Sequence, residues 1–162
     1  MINLNEGLSF QQYLEKNTPE QREAMLKAYD NTQLSEEGKK YIQSIDKPLN
    51  MVVYSEGFCP DCVVTLPFVR RMEELNPNIK MFIFGREGNK ETLEEMVGTA
   101  RIPTVLCFTE NMEPKGAYIE VPEDIKEMMM GLSPDKQKEI VMEYRAGKFN
   151  SSIEKNLIKI LK

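Results

Sequence analysis

Leu49-Asn50-Met51-Val52-Val53-Tyr54, then Ser55-Glu56-Gly57, then Phe58-Cys59-Pro60-Asp61-Cys62 is the stretch on which the fold turns. The first six residues are mostly apolar and partly β-branched, the pattern of a short buried strand. Ser55-Glu56-Gly57 is a polar turn. Beyond the second cysteine, Val63, Leu66, Val69, Met72 and Leu75 recur at helical spacing. Cys59 therefore falls at a helix N-terminus, where unsatisfied N–H groups and the macrodipole favour a thiolate. Cys62 lies one turn further in, near enough to close a small disulfide ring once Cys59 has reacted. The exposed, acidified sulfur is placed to attack and the recessed one to resolve.

Downstream, Ile79–Phe84 reads as a second strand and Glu91–Val97 as a short helix ended by Gly98. Pro103–Phe108 reads as a third strand, Asn111 and Met112 turn the chain, and Lys115–Val121 returns as a fourth. Strand, helix, strand, helix and two adjacent strands make a βαβ unit joined to a hairpin and covered by helices. Gly85-Arg86-Glu87-Gly88 has no phosphate-loop spacing and reads as a loop. Arg70 and Arg71 read as solvated helix residues.

Both flanks are helical in pattern. Leu8, Phe10, Tyr13 and Leu14 precede Thr18-Pro19-Glu20-Gln21, a helix start with a Thr cap, Pro at the first position and Gln three after the cap. Met25, Leu26 and Tyr29 form an apolar stripe ending near Asn31, and Ser35 opens a helix carrying Tyr41, Ile42 and Ile45. Ser133-Pro134 starts a helix that stops at Gly147, and Ser151 with Glu154 reads as a capping box for the last. Met128-Met129-Met130 reads as gap-filling core rather than as an adaptable surface. The expectation is a single domain, with a helical part at 1–47, a core at 48–122 and a second helical part at 123–162.

Composition narrows the chemistry. The 162 residues hold 21 Lys+Arg, 26 Asp+Glu, three Cys and no His, for a net charge of −5. Without His, Ser-His and Cys-His catalysis within one chain is excluded, as is a histidine-ligated metal. Three cysteines cannot build a four-thiolate zinc site. An isoelectric point near 5.0 argues against nucleic acid, since neutralising phosphates needs a basic face. The core segment 48–122 is itself acidic, with 7 Lys+Arg against 11 Asp+Glu. No apolar run approaches the roughly 20 residues of a membrane span. Met1–Glu6 lacks a cationic start and an apolar segment, so no secretory signal is read. A cytoplasmic location is the expectation, and there a C-x-x-C pair is catalytic or redox-active rather than structural.

The segment from about Leu49 to Val121 resembles a thioredoxin in three features: Phe58-Cys59-Pro60-Asp61-Cys62 in place of an aromatic-Cys-x-x-Cys site, Pro67 five residues after the second cysteine, and Arg101-Ile102-Pro103-Thr104 in place of an Ile-Pro-Thr loop. The Cys-Pro-Asp-Cys form is similar to that of some thioredoxin-related disulfide reductases. With its flanking helices the chain looks like the extended thioredoxin-like proteins of bacteria. The resemblance implies an α/β fold, a thioredoxin-like central sheet with flanking helices and N- and C-terminal helical extensions, with Pro67 kinking the first core helix. It implies thiol–disulfide exchange in which Cys59 attacks and Cys62 resolves. It also implies a cis peptide before Pro103, presenting the Ile102 backbone to the sulfurs and shaping, with Phe58, a groove for an extended substrate. A trans Pro103 that merely opens a strand is the plainer reading of the residue alone.

Two departures bear on mechanism. Where thioredoxins carry a buried Asp six residues before the first Cys, this chain has Val53, and the Trp before the motif is Phe58, which lacks an indole donor. Glu56 or a water is the candidate replacement for the acid, the alternative being that Glu56 is simply solvated. Pro60 and Asp61 are expected to modulate the site. The Asp61 charge opposes the helix terminus and holds the Cys59 pKa nearer about 7 than the values of strong oxidants, which favours a reductase; otherwise Asp61 is a plain first-turn acid. Cys107 reads as a buried core residue. No bound cofactor and no metal are expected. The expected partners are disulfide-containing proteins or small thiols, with a thiol reductant or reductase for recycling. Two other readings stay open: a redox-sensing adaptor with little turnover, and a cluster or metal shared between two chains.

Overall fold

The computed structural model describes residues 2–162; Met1, first residue of the expected N-terminal helical part, lies outside the described residues. After a 3-10 turn at Leu4–Glu6, helices α1 (Phe10–Lys16), α2 (Pro19–Asn31) and α3 (Glu36–Ser44) precede strand β1 (Leu49–Tyr54). Helix α4 (Pro60–Leu75), strand β2 (Ile79–Phe84), helix α5 (Lys90–Val97) and strands β3 (Thr104–Thr109) and β4 (Pro114–Ile119) complete the central part. Helices α6 (Glu123–Met129), α7 (Pro134–Arg145) and α8 (Asn150–Leu161) follow.

The sheet order is β2-β1-β3-β4. β1 and β2 are parallel, in register from Leu49 opposite Ile79 to Tyr54 opposite Phe84. β3 runs antiparallel to both β1 and β4. Parallel neighbours need a crossover, which α4 supplies, whereas β3 and β4 need only a hairpin. The outer edge of β2 is covered where Leu8 and Ile83 exchange backbone hydrogen bonds of 2.8 Å each way. That bridge fixes α1 against the sheet and protects an edge strand.

Alternation along the strands sends side chains to two apolar clusters. Met51, Val53, Ile83, Val105 and Cys107 join the larger, which extends from Phe10 to Leu161 and includes Met25, Ile42, Ile153 and Leu157. Val52, Tyr54, Leu106 and Phe108 join the smaller, with Cys59, Cys62 and Ile102. The terminal helices are thus built into the larger cluster. Helix α4 runs through the core with Cys62 and every residue from Val64 to Val69 buried, Pro67 among them.

Local signals place most boundaries. Thr18 forms the expected capping box with Gln21, with Pro19 at the first helical position. Ser35 and Ser133 cap α3 and α7. Gly98 ends α5 at φ 80°, a conformation open to glycine without cost. The hairpin strands begin and end one or two residues from the expected bounds.

Four expectations fail for tertiary reasons. Ser151 does not cap α8, which starts at Asn150 with no side-chain cap; the Glu154 carboxylate instead accepts from Ser35 N at 2.7 Å and Ser35 Oγ at 2.6 Å. Met128 and Met130 are exposed, Met130 at 74%, and only Met129 packs against the core. Leu26 is also exposed, so the inner stripe of α2 is Met25 and Tyr29. Arg71 is not merely solvated: it donates to Thr32 O at 3.1 Å, Tyr29 O at 2.9 Å and Tyr29 Oη at 2.9 Å, with its guanidinium 3.7 Å from the Tyr29 ring centroid. Arg70 pairs with Glu73 at 2.7 Å and lies 5.4 Å over the Phe10 ring. The two arginines tie α1 and α2 to α4.

Candidate functional site

The C-terminal end of β1 delivers the chain into Ser55-Glu56-Gly57 and then into α4. Gly57 is needed for packing: a Cβ there would lie 2.6 Å from Gln21 Oε1 and 2.7 Å from Asn17 Oδ1. Residues of the first two helices therefore close directly on the turn before the cysteines. Pro60 occupies the first helical position, where a missing N–H costs nothing.

Cys59 is the N-cap of α4. Its sulfur accepts from Cys62 N at 3.2 Å, and its carbonyl accepts from Cys62 N and Val63 N at 3.1 Å each. The Cys59 thiol lies 3.8 Å from the carbonyl oxygen of Ile102. The Ile102–Pro103 peptide is cis, as the resemblance implies. Its loop is held by Thr104 Oγ1, which donates to Arg101 O at 2.7 Å, and by Glu120 N, which donates to Pro103 O at 2.7 Å.

The two thiols differ sharply. Cys59 keeps 8% of its surface open and Cys62 none. The Cys59 pKa is lowered, first by the hydrogen bond from Cys62 and then by the backbone N–H groups of Cys62 and Asp61, against burial and the Asp61 charge. The Cys62 pKa is raised, mainly by burial and by its hydrogen bond to Cys59. A proton shared between two sulfurs thus favours a thiolate on the outer one. All three cysteines are free, and Cys107 is wholly buried in the larger cluster, its thiol pushed up to about 11 by burial.

Phe58, 65% exposed, stands beside Cys59 as an apolar platform at the mouth. Ile102 and Pro103 are buried on the other side. The structure therefore gathers Phe58, Cys59, Cys62, Ile102 and Pro103 at one end of the sheet. Two expected modulators have other attachments. Asp61 is held by Arg145 of α7, Nε to Oδ1 at 2.9 Å. The Glu56 carboxylate turns away to accept from Arg86 N at 2.8 Å and Glu87 N at 3.0 Å, pinning the loop after β2. Glu56 is therefore neither a simply solvated turn acid nor directed at the sulfurs. Val53 is buried in the larger cluster, whereas Cys59 and Cys62 belong to the smaller.

Sequence reasoning missed Arg145 and the buried pair Tyr13 Oη and Ser55 Oγ, 2.7 Å apart. Ser55 carried a usable signal, a polar residue directly after a fully buried strand. Among the described residues no group of three or more His, Cys, Asp or Glu is arranged to hold a metal ion, and no helix is long and apolar enough to cross a membrane.

A family model described as thioredoxin matches residues 7–145. A crystal structure of a protein of unknown function from Pseudomonas aeruginosa is 20% identical with a TM-score of 0.82, covering 98% of this chain and 93% of that one. The crystal structure of an HIV epitope-scaffold is 18% identical with a TM-score of 0.82, covering 98% of this chain and 94% of that one. At those identities the likeness speaks for the fold. No curated protein matches the chain. The family match spans both cysteines, the Ile102–Pro103 loop and α1 through α7: the chain belongs to the thioredoxin family.

Proposed function

We propose that this protein is a thiol–disulfide oxidoreductase that reduces disulfides through the Cys59/Cys62 dithiol. The observation that carries the reading is the asymmetry of the pair: Cys59 slightly open, acidified and 3.8 Å from the Ile102 carbonyl, Cys62 enclosed behind it with its proton retained. The Cys59 thiolate attacks a substrate disulfide, forming a mixed disulfide and releasing one substrate thiol. Cys62 then attacks the Cys59 sulfur, releasing the second thiol and leaving a Cys59–Cys62 disulfide. Phe58 and the Ile102 backbone contact the substrate, and Pro60 and Asp61 set the geometry and charge of the turn. The reduced substrate is a protein or small-thiol disulfide. A thiol reductant or a reductase restores the dithiol, in a reducing compartment such as the cytoplasm.

The test is turnover of a protein disulfide with a dithiol as reductant. Activity lost in Cys59→Ser, with a substrate stranded covalently on Cys59 in Cys62→Ser, is the expected outcome. Reversible oxidation of the wild-type pair without turnover would overturn the reductase reading in favour of a redox sensor.

A further inference from the structure

The resolving thiol has a difficulty that the attacking one lacks. Cys62 must give up its proton to attack, yet its sulfur is sealed from water and burial strongly favours the neutral form. The Glu56 carboxylate is committed to the backbone of Arg86 and Glu87. The neighbours that act on the Cys62 thiol include the Cys59 thiol, the Ser55 side chain and the Glu56 backbone N–H. The Ser55 hydroxyl is in turn 2.7 Å from Tyr13 Oη, and Tyr13 and Ser55 are 4% and 1% exposed. Two bonded hydroxyls enclosed beside a buried thiol are costly unless each is satisfied.

We propose that Tyr13 and Ser55 are positioning residues for the resolving step: Tyr13 donates to Ser55, and Ser55 donates to the Cys62 sulfur as it becomes a thiolate. The polarity of the chain follows from charge. A thiolate only accepts, so the single Ser55 proton turns toward it, and the Tyr13 proton fills the vacated Ser55 lone pair. Hydrogen bonds to an ionised acceptor are about twice as strong as neutral ones, and more so away from water. The Glu56 N–H adds a second donor from the same turn.

The inference rests on the exchange chemistry proposed above and adds no co-reactant. The Cys62 S–H proton is given up to solvent, the sulfur attacks Cys59, and the Cys59–substrate S–S bond breaks. Its electron pair departs with the substrate sulfur, which takes up one proton from solvent. Two electrons have passed from the dithiol to the substrate disulfide, and both hydroxyls end with the protons they began with.

The arrangement also gives the first helix a task at the site. The Leu8–Ile83 bridge holds the segment entering α1 on the sheet edge, and Ser55 N donates to Phe84 O at 2.9 Å. Both members of the pair are thus referred to the same strand, β2. The bridge at Leu8 and the Ser55–Phe84 bond place Tyr13 and Ser55 against one frame.

The test separates the two steps of exchange. The reduced full-length chain is mixed with one equivalent of 5,5′-dithiobis(2-nitrobenzoate), and release of the coloured thiol is followed from pH 5 to 9. The first phase reports Cys59 attack and the second reports Cys62 resolution. In Tyr13→Phe and Ser55→Ala the second phase should slow about tenfold at pH 7 and its midpoint should move up by about one unit, the equivalent of tenfold. The first phase should stay within about twofold, and Ser55→Thr should recover most of the loss. Tyr13→Phe removes one oxygen at constant shape, so it decides the matter if Ser55→Ala fails to fold. A second phase with wild-type rate and midpoint in Tyr13→Phe would overturn the inference while leaving the oxidoreductase reading intact. A wild-type chain that never releases a second equivalent would overturn both.

Discussion

Arg145, the last residue of α7, donates from Nε to Asp61 Oδ1 at 2.9 Å and from Nη2 to Asp61 Oδ2 at 3.4 Å, a two-point grip on the turn between the two cysteines. The pairing joins positions 84 residues apart. It changes what Asp61 means for Cys59. An isolated carboxylate there raises the thiol pKa, as it does here in direction, but the guanidinium offsets part of that charge and itself senses the Cys59 thiolate.

The first prediction follows from that offset. Arg145→Ala should move the midpoint of Cys59 alkylation by iodoacetamide to higher pH, and Asp61→Asn should move it lower. Each shift should be no more than about one unit, because the pair is partly open to water and screened by salt. Asp61→Asn with Arg145→Ala together should return the midpoint close to wild type, a coupling that a double-mutant cycle reads directly. Unchanged midpoints in both single variants would show that Asp61 is only a first-turn helix acid.

Most of the central fold was legible because its signals are local. The runs Leu49–Tyr54 and Ile79–Phe84 match the observed strands residue for residue, since a short β-branched apolar segment bounded by polar turns has few alternatives. Phe58-Cys59-Pro60-Asp61-Cys62 could be placed at a strand-to-helix junction for the same reason. The cis Ile102–Pro103 peptide came from family resemblance, because the residue alone also allows trans. What escaped is long-range pairing of polar groups. Tyr13 sits on an apolar stripe like any core aromatic, and its partner Ser55 is 42 positions away. Ser151 and Glu154 satisfy the capping pattern, yet the carboxylate finds a stronger use on Ser35, 119 positions away. Periodicity and capping rules describe one turn of chain and are blind to such partners.

Alkaline pH should expose the buried thiols. Cys107 is wholly buried and its thiol is pushed up to about 11, and burial raises Cys62 in the same direction. An acid whose folded pKa lies above its unfolded value, about 8.5 for a thiol, contributes its stability fully below that unfolded value. The contribution is then lost as pH rises toward the folded one. Urea midpoints under a phosphine reductant should therefore fall between pH 8.5 and 10, by about 1.4 kcal/mol per pH unit for each such thiol. Cys59, lowered rather than raised, gains most of its contribution below this window and opposes the fall only near its lower edge. Cys107→Val should remove one thiol's share of the slope, which the buried tyrosines, raised in the same direction, steepen toward pH 10; an unchanged slope would mean that Cys107 ionises equally well when folded.

Glu56 separates a structural role from a chemical one. Its carboxylate accepts two backbone N–H groups, from Arg86 and Glu87, and is directed at neither sulfur. Glu56→Ala should cost about 1.5–3 kcal/mol of stability, the range for hydrogen bonds to a charged group. The same variant should leave the pH midpoint of Cys59 alkylation in place. A midpoint displaced with stability unchanged would return Glu56 to proton handling at the site.

The last prediction concerns how the two helical flanks hold each other. Ser35 caps α3 by accepting from Gly38 N at 3.0 Å, and it is in turn gripped through its own N and Oγ by the Glu154 carboxylate of α8. Gly38 lets α8 approach, since a Cβ there would lie 3.0 Å from the Glu154 carboxyl carbon. Ser35→Ala should lose the cap and one of the two Glu154 bonds, for about 1–2 kcal/mol. Glu154→Gln keeps the shape and one acceptor and should cost less than Glu154→Ala. Because both side chains act through the same bonds, the double variant Ser35→Ala with Glu154→Ala should destabilise by less than the sum, with a coupling of about 0.5–1 kcal/mol. Additive losses in thermal or urea unfolding would mean that the N- and C-terminal helices are held by the apolar cluster alone and that the Ser35–Glu154 contact adds nothing to their docking.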